Sequence, residues 1–196
     1  MRVALGLKAR TGRAVLVAIG IDADEPRFIE RSELRLLPEG AFAPYHAADG
    51  LAPAEARESV RRSIAAAHEL AAGGIRQAMH RLKADGHDVS GCAVLVGAGM
   101  PKWTTEEILA AHVRMHQAEG ELFRDVLVSG ARACKLELTT IREKTALDDA
   151  ARMLGLARAK LDKQIAALGK VAGAPWGKDQ KEAAAAALVA LKGSKT

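Results

Sequence analysis

Length, composition and charge narrow the class of protein before any motif is considered. The chain has 196 residues, of which 49% are hydrophobic and 27% charged, a balance typical of a globular domain rather than a disordered chain. Its formal net charge of +5 is compatible with binding phosphate backbones, but no block of like charges concentrates it. Aromatic residues make up only 3%, which argues against a surface that stacks single-stranded bases.

The first third of the chain predicts three antiparallel strands. Residues 2–9 alternate in side-chain type, and a turn at Thr11-Gly12 separates them from a β-branched run at 13–20. A third strand at 27–37 ends at Pro38. In the first strand one face carries Val3, Leu5 and Leu7, and the other carries Ala4, Gly6 and Lys8.

Helices and strands alternate in the middle of the chain. After a loop at 39–53, residues 53–83 carry apolar side chains at three- and four-residue steps, which predicts a long amphipathic helix. Residues 92–97 predict a buried strand. A capping box opens a second helix over 104–133, and a short fifth strand is predicted at 135–139.

The last third predicts helices. Leucines recur every seven residues on a third helix, at Leu147, Leu154, Leu161 and Leu168. This seam would pack either on the body of the protein or on a second copy, forming a homodimer. A loop at 169–178, an alanine-rich helix at 179–191 and a frayed tail at 193–196 complete the chain.

This element order, βββαβαβα, predicts an α/β fold. We expect a mixed five-stranded sheet with helices on both faces and extra C-terminal helices. Residues 1–145 are expected to form the core, and residues 146–196 a helical segment that packs on it within the same domain. No apolar run approaches the roughly 20 residues of a membrane helix. Because no signal peptide is recognised, and Cys92 and Cys134 match no metal or redox spacing, we expect reduced thiols in a cytoplasmic protein without a membrane segment.

A polar stripe on the second predicted helix is the best candidate binding site. His112, His116 and Glu119 are spaced i, i+4 and i+7, which places them on one face. Two imidazoles and a carboxylate so arranged can bind a divalent transition metal, and His46 in the preceding loop could complete the site. The alternative is that they are partly exposed helix residues or hydrogen-bond partners at a helix–loop interface.

Two further residues extend this polar edge. Glu121 and Arg124 form a favourable i, i+3 pair and are candidates for contact with a ligand or partner. The alternative interpretation is a solvated helix face.

The order of strands and helices resembles that of the RNase H-like superfamily and, within it, the RuvC-type Holliday-junction resolvases. Residues 3–12 look like the first strand and its glycine turn, 92–97 like the fourth strand, 117–122 like the middle helix, and 179–191 like the acidic, alanine-rich final helix. The resemblance implies an RNase H-like fold, nucleic acid as a partner, and carboxylates that hold two Mg²⁺ ions. The Pro44-Tyr45-His46 and His-x-x-x-His-x-x-Glu-Gly elements are also similar to those of other bacterial proteins.

The residues at the positions implied by this resemblance depart from the nuclease pattern. The aspartate of the first strand corresponds to Lys8, and the glutamate of the fourth strand falls near Gly97. A lysine cannot ligate Mg²⁺, and its charge opposes the metal. Asp179 and Glu182 remain as candidate catalytic residues, although they equally fit a helix N-cap followed by an acidic residue. The resemblance therefore implies a degenerate acidic site.

Three hypotheses for function follow. The first is an RNase H-like protein that lacks two-metal nuclease activity and has a ligand or metal site at His46, His112, His116 and Glu119. The second is a RuvC-like nucleic-acid-binding protein or metal-dependent nuclease that uses the remaining acids. The third is an oligomeric interaction protein that pairs through the helix over 147–168.

Overall fold

The computed structural model describes residues 1–23 and 25–193; the predicted tail beyond Gly193 lies outside them. Within these residues the strands are β1 (Arg2–Arg10), β2 (Arg13–Asp22), β3 (Glu25–Arg35), β4 (Asp88–Val96) and β5 (Glu137–Arg142). The helices are α1 (Pro44–Ala48), α2 (Pro53–Ala84), α3 (Thr105–Leu109), α4 (His112–Ala133), α5 (Ala146–Leu154), α6 (Arg158–Ala172) and α7 (Lys178–Gly193), and a 3-10 turn occupies Glu143–Thr145.

The strands form one mixed sheet in the order β3-β2-β1-β4-β5. The meander pairs β1 with β2 and β2 with β3 in antiparallel fashion, whereas β1, β4 and β5 run parallel. Parallel neighbours require long crossovers, and helices α2 and α4 supply them. The predicted α/β class and mixed five-stranded sheet are confirmed.

Each face of the sheet is covered by helices. Val3, Leu5 and Leu7 of β1 point into a core shared with α2 and α4, as the alternation predicts. The opposite face packs on α5, α6 and α7. Gly6 lies on that second face, where an added Cβ would overlap the carbonyl oxygen of Ala183. The missing side chain therefore allows the backbone of α7 to lie directly against β1.

Several element boundaries differ from the sequence-based predictions; among the strands, β3 spans Glu25–Arg35 rather than 27–37, and β4 spans Asp88–Val96 rather than 92–97. The loop predicted at 39–53 contains α1, and the helix predicted over 104–133 is broken where Ala111 adopts an extended conformation. The fifth strand begins at Glu137 rather than 135, because Lys135 lies at positive φ in the turn after α4. The break before α4 matters most, because it places His112 on the first turn of a new helix.

The leucine seam is not one helix. Gly155, in the left-handed conformation, ends α5, and α6 begins at Arg158. Leu161 and Leu168 are buried in the protein's own core, and Leu147 and Leu154 pack against that core. The seam therefore packs on the body of the protein, the first of the two predicted alternatives. No helix in the described ranges combines the length and apolar character that crossing a membrane requires.

Candidate metal centre

Three imidazole rings converge at one end of the molecule. One ring nitrogen from each of His46, His112 and His116 lies within 4.8 Å of the other two. The Nε2 atoms of His46 and His112 are 3.2 Å apart. We call these three residues the histidine cluster.

Local structure explains how the cluster assembles. Pro44 begins α1, since its fixed φ suits the first position of a helix, and His46 follows on the same turn. His112 and His116 stand one turn apart on α4, as their i, i+4 spacing predicts. Beneath the rings lies a small separate core, formed by Tyr45, Ala48, Ala56, Val60, Ile108, Met115 and Ala118. The histidines are thus held over a packed base and not on a free loop.

Glu119 is arranged to position His46. Its side chain is 2% exposed, and both carboxylate oxygens lie 2.9 Å from Nδ1 of His46. The same carboxylate accepts hydrogen bonds from the backbone N–H groups of Tyr45 and His46, each at 3.1 Å. A carboxylate only accepts, so Nδ1 of His46 must carry the proton. In the neutral ring this leaves Nε2 bare and facing His112, the tautomer that binds a metal.

The spacing of the His46 and His112 ring nitrogens fits a transition metal, and a ring nitrogen of His116 lies within 4.8 Å of both. In a tetrahedral site with bonds of about 2.1 Å, neighbouring ligand atoms are about 3.4 Å apart. The 3.2 Å between Nε2 of His46 and Nε2 of His112 is close to this value. Three imidazoles suit zinc, copper, iron or nickel rather than Mg²⁺ or Ca²⁺. Of the predicted metal ligands, His112 and His116 lie together with His46 in the cluster, whereas Glu119 lies behind His46 and is hydrogen-bonded to its Nδ1.

A groove leads to the histidine cluster. It has a volume of about 620 Å³ and runs between the β1–β2 turn, the end of β3 and the segment over 38–43. His46, His116 and Glu119 line its inner end. Two exposed ion pairs, Arg13 with Glu33 and Arg35 with Glu39, lie along it, so its arginines are already paired with carboxylates.

A second polar cluster lies on the other face of the sheet. The ammonium group of Lys8, only 1% exposed, contacts Glu182, and it lies 3.2 Å from Asp179 and 3.3 Å from Glu143. We call these four residues the lysine cluster. Asp179 and Glu182 come from α7, and Glu143 comes from the 3-10 turn after β5. The ammonium group of Lys8 therefore links β1 to both of these segments.

Electrostatics favour the charged forms of Lys8, Glu143 and Asp179. Burial lowers the pKa of Lys8, but hydrogen bonds to Glu182 and Asp179 and the neighbouring carboxylate charges outweigh it, so the pKa is raised above 10.5. Burial likewise raises the pKa of Glu143, but Arg124 and Lys8 outweigh it, and the pKa falls below its ordinary value. The pKa of Asp179 is also lowered, since Arg10 and Lys8 outweigh burial.

The N-cap interpretation of Asp179 and Glu182 is wrong. Helix α7 already includes Lys178, and the backbone N–H of Gly177 donates to the side chain of Gln180. Both carboxylates instead turn toward Lys8, and Arg10 donates to Asp179 at 2.7 Å. They therefore meet the first strand, around an ammonium group.

The sequence analysis missed Glu143 and Arg10. Glu143 lies between two predicted elements, and no periodicity or motif marks it. Lys8 itself carried a signal, because a lysine on the α7-facing side of an otherwise apolar strand needs a buried partner.

Glu121 and Arg124 lie apart from the histidine cluster. Arg124 donates to Glu143 at 2.7 and 3.0 Å and lies 3.6 Å from Glu121. Both line a cavity of about 530 Å³ beyond the carboxyl end of β4, where Gly97 leaves room for them. They thus border the lysine cluster through Glu143.

Comparisons with known proteins support the fold. No family model matches the sequence, and no curated protein matches it. Among solved structures, RuvC of T. thermophilus in complex with a Holliday junction substrate is similar with a TM-score of 0.50 and 13% identity, over 96% of this chain and 92% of that one. A second structure of Thermus thermophilus RuvC gives a TM-score of 0.48 and 14% identity, over 95% and 92% of the two chains. An exopolyphosphatase from Cytophaga hutchinsonii gives 0.30 and 8%, over 78% of this chain and 38% of that one. At these identities the likeness concerns the fold alone: the chain has the RuvC-like topology of the RNase H-like fold.

Proposed function

We propose that this protein binds one divalent transition metal, zinc foremost, through His46, His112 and His116, with Glu119 as the positioning residue. The convergence of three ring nitrogens within 4.8 Å carries the proposal. The buried carboxylate behind His46 supports it, because metal-binding histidines usually donate their second N–H to such a group. Three histidine ligands leave one coordination position of zinc open. Such a zinc ion activates water and polarises carbonyl or phosphoryl groups.

The test is metal binding by the purified full-length chain. We expect one zinc ion per chain by elemental analysis and calorimetry, and loss of tight binding in His112→Ala and His116→Ala. His80, an exposed histidine on α2, offers the matched control, and His80→Ala should bind zinc like the unaltered protein. Less than one zinc per chain, or unchanged affinity in both variants, would contradict the proposal.

We also propose that the lysine cluster does not act as a two-metal nuclease site. Support comes from Lys8, whose ammonium group lies among three carboxylates and neutralises part of their charge. A cation already covalently attached to β1 leaves no position for Mg²⁺ between the carboxylates. We expect no cleavage of four-way DNA junctions or RNA–DNA hybrids with Mg²⁺ or Mn²⁺. Robust cleavage that Asp179→Ala abolishes would overturn this expectation.

Binding of nucleic acid without cleavage is a second candidate function. It is supported by the fold, since a similar solved structure is of RuvC with a Holliday junction substrate, and by the net charge of +5. Fluorescence anisotropy with a labelled four-way junction tests it. Backbone binding should weaken steeply between 50 and 200 mM salt, by orders of magnitude for several phosphate contacts. Affinity that is absent, or indifferent to salt, would exclude this function.

Two organisational predictions remain proposals. We propose that residues 146–196 belong to the same folding unit as residues 1–145, because α7 packs on β1, β2 and β4 and supplies half of the lysine cluster. A chain ending at residue 145 should then give no cooperative unfolding transition, and a cooperative one would contradict the proposal.

The free thiols of Cys92 and Cys134 support a reducing, cytoplasmic compartment.

We propose that the leucine seam is not a surface for pairing two copies of the chain. Pairing through the leucine seam would require α5 and α6 to leave the core, because Leu161 and Leu168 are buried there. We therefore propose that Leu161→Asp unfolds the chain and does not convert a dimer to a monomer. Light scattering that shows a folded, lighter species would restore the hypothesis.

A further inference from the structure

The segment between β3 and α2 is held at its start by Leu36 and Leu37, which are buried in the main core, and at α1 by Tyr45 and Ala48, which are buried in the small core. Within residues 36–52 the structure has one helix, α1, of five residues. An isolated helix of this length is unstable in water. Its position must therefore come from contacts with the rest of the protein.

Glu119 supplies the first of these contacts. The hydrogen bonds found for its carboxylate all come from α1: from the backbone N–H groups of Tyr45 and His46 and from Nδ1 of His46. If α1 moved away, a carboxylate at the edge of the small core would lose these partners, which is costly for a buried charge. Docking of α1 and burial of Glu119 are thus coupled.

The histidine cluster supplies the second contact. One ligand, His46, comes from α1, and the other two, His112 and His116, come from α4. A metal ion bound by all three joins the two helices, and full coordination exists only while α1 is docked. Ligands that bind one state alone shift the equilibrium toward it by the factor 1 + [L]/Kd.

We propose that metal binding acts as a switch that fixes α1 on α4 and thereby completes the groove. This inference rests on the proposed zinc site and adds regulation to it. Residues 38–43, directly before α1, form one wall of the groove. When α1 is docked, that wall is fixed and the groove ends at the metal. Metal loading and access of a ligand to the groove are therefore linked in the same equilibrium.

The arrangement of exposed groups is consistent with a wall that moves as a unit. Phe42 is 77% exposed on this segment, so the loop itself is not anchored by its largest apolar side chain. Tyr45 and Ala48, by contrast, are buried in the small core. Between residues 38 and 50 the buried side chains lie on α1, next to His46.

Hydrogen–deuterium exchange of the full-length chain, with and without one equivalent of zinc, tests the switch. We expect peptides over 38–50 to exchange at least about tenfold more slowly with zinc, and peptides over 183–191 of α7 to remain unchanged. In the double variant H112A/H116A, which keeps Glu119 and His46, zinc should give no such protection.

The outcomes separate the switch from the metal site. Stoichiometric zinc binding without added protection over 38–50 would overturn the switch and leave the proposed function standing. Equal protection in the double variant would also overturn it, since the ion would then not act by joining α1 to α4. Absence of zinc binding would remove both proposals.

Discussion

The two polar clusters use opposite solutions to the same electrostatic problem. In the lysine cluster, three carboxylates converge and a covalently attached ammonium group supplies the compensating charge. In the histidine cluster, three imidazole rings converge, and within the described residues no cationic side chain takes the place that Lys8 has in the first cluster. Acidic groups gathered in a fold need a counter-ion, whereas imidazoles form a ligand set only when a metal arrives. The first cluster is complete within the chain, whereas under the proposed function a metal ion completes the second.

The comparison also concerns what each cluster holds together. The lysine cluster joins β1, the turn after β5 and α7, on the face where α7 lies against Gly6. The histidine cluster joins the short α1 to the start of α4, at the rim of the molecule. We therefore expect changes near the first to affect stability, and changes near the second to affect metal affinity.

The largest effect is expected where α7 meets β1. Gly6→Ala places a methyl group against the backbone of Ala183, which cannot yield as a side-chain tip could. We expect a loss of about 3 kcal/mol or more in the free energy of unfolding, at the upper end for overpacked cores. Gly97→Ala is the matched control, because its Cβ would meet only the movable ends of Glu121 and Arg124. Similar urea midpoints for the two variants would show that the close approach of α7 is not required.

Removing the attached cation should change what the lysine cluster binds. Lys8→Ala leaves three carboxylates without their ammonium group, and we expect it to lower stability by about 3 kcal/mol, the lower end for a broken buried pair, because Asp179 and Glu143 are partly exposed. Mg²⁺, which prefers oxygen ligands, should recover part of this loss as a higher melting temperature. Lys8→Met fills the same space without charge, so Mg²⁺ should not rescue it. Equal responses of the two variants to Mg²⁺ would refute the idea that Lys8 occupies a cation position.

Removing the support behind His46 should have a smaller and local effect. Glu119→Gln keeps the size of the side chain but weakens the partner of Nδ1, and we expect zinc affinity to fall about 10- to 100-fold. Glu121→Gln, on the same helix but away from the histidine cluster, should leave the affinity unchanged. Calorimetric titration with zinc measures both, and an equal loss in the two variants would point to a general effect of charge.

The smallest expected effect is the dependence of stability on pH. The lowered pKa values of Glu143 and Asp179 stabilise the fold above their ordinary values of 4.5 and 3.8, and this contribution is lost as the pH falls through the lower folded-state values. The raised pKa of Lys8 stabilises the fold below 10.5, and its contribution disappears only as the pH rises through a still higher value.

Urea unfolding measured from pH 7 down to 3 and up to 11 follows both limbs. In Lys8→Met the acid limb should be shallower, because the carboxylates no longer have the ammonium group to stabilise their charged form. An acid limb of the same slope in both proteins would mean that the contribution arises elsewhere.

Much of the architecture could be predicted because burial imposes local patterns. The alternation in β1, the continuous apolar run in β4 and the three- and four-residue steps of α2 each follow from which side chains must leave water. The mixed sheet then followed from the sequence of elements. Boundaries failed where a backbone conformation decided them, as at Ala111, Lys135 and Gly155.

The candidate site was predicted only in part. The i, i+4, i+7 spacing placed His112, His116 and Glu119 on one face, but it could not say that Glu119 would bind α1 and not a metal. His46 is 66 residues before His112, and no local pattern fixes the distance between them. No sequence pattern identifies Glu143, because its role depends on where the turn after β5 ends.

Taken alone, the sequence determined most of the secondary structure, the fold class and the stripe of polar residues on α4, since each depends on neighbours along the chain. Tertiary structure decided the rest: that Lys8 stands among carboxylates, that Asp179 and Glu182 turn toward it, and that a five-residue helix delivers His46 to the other two rings. Each of these contacts joins segments separated by tens to more than a hundred residues along the chain. It therefore forms only after the chain has packed.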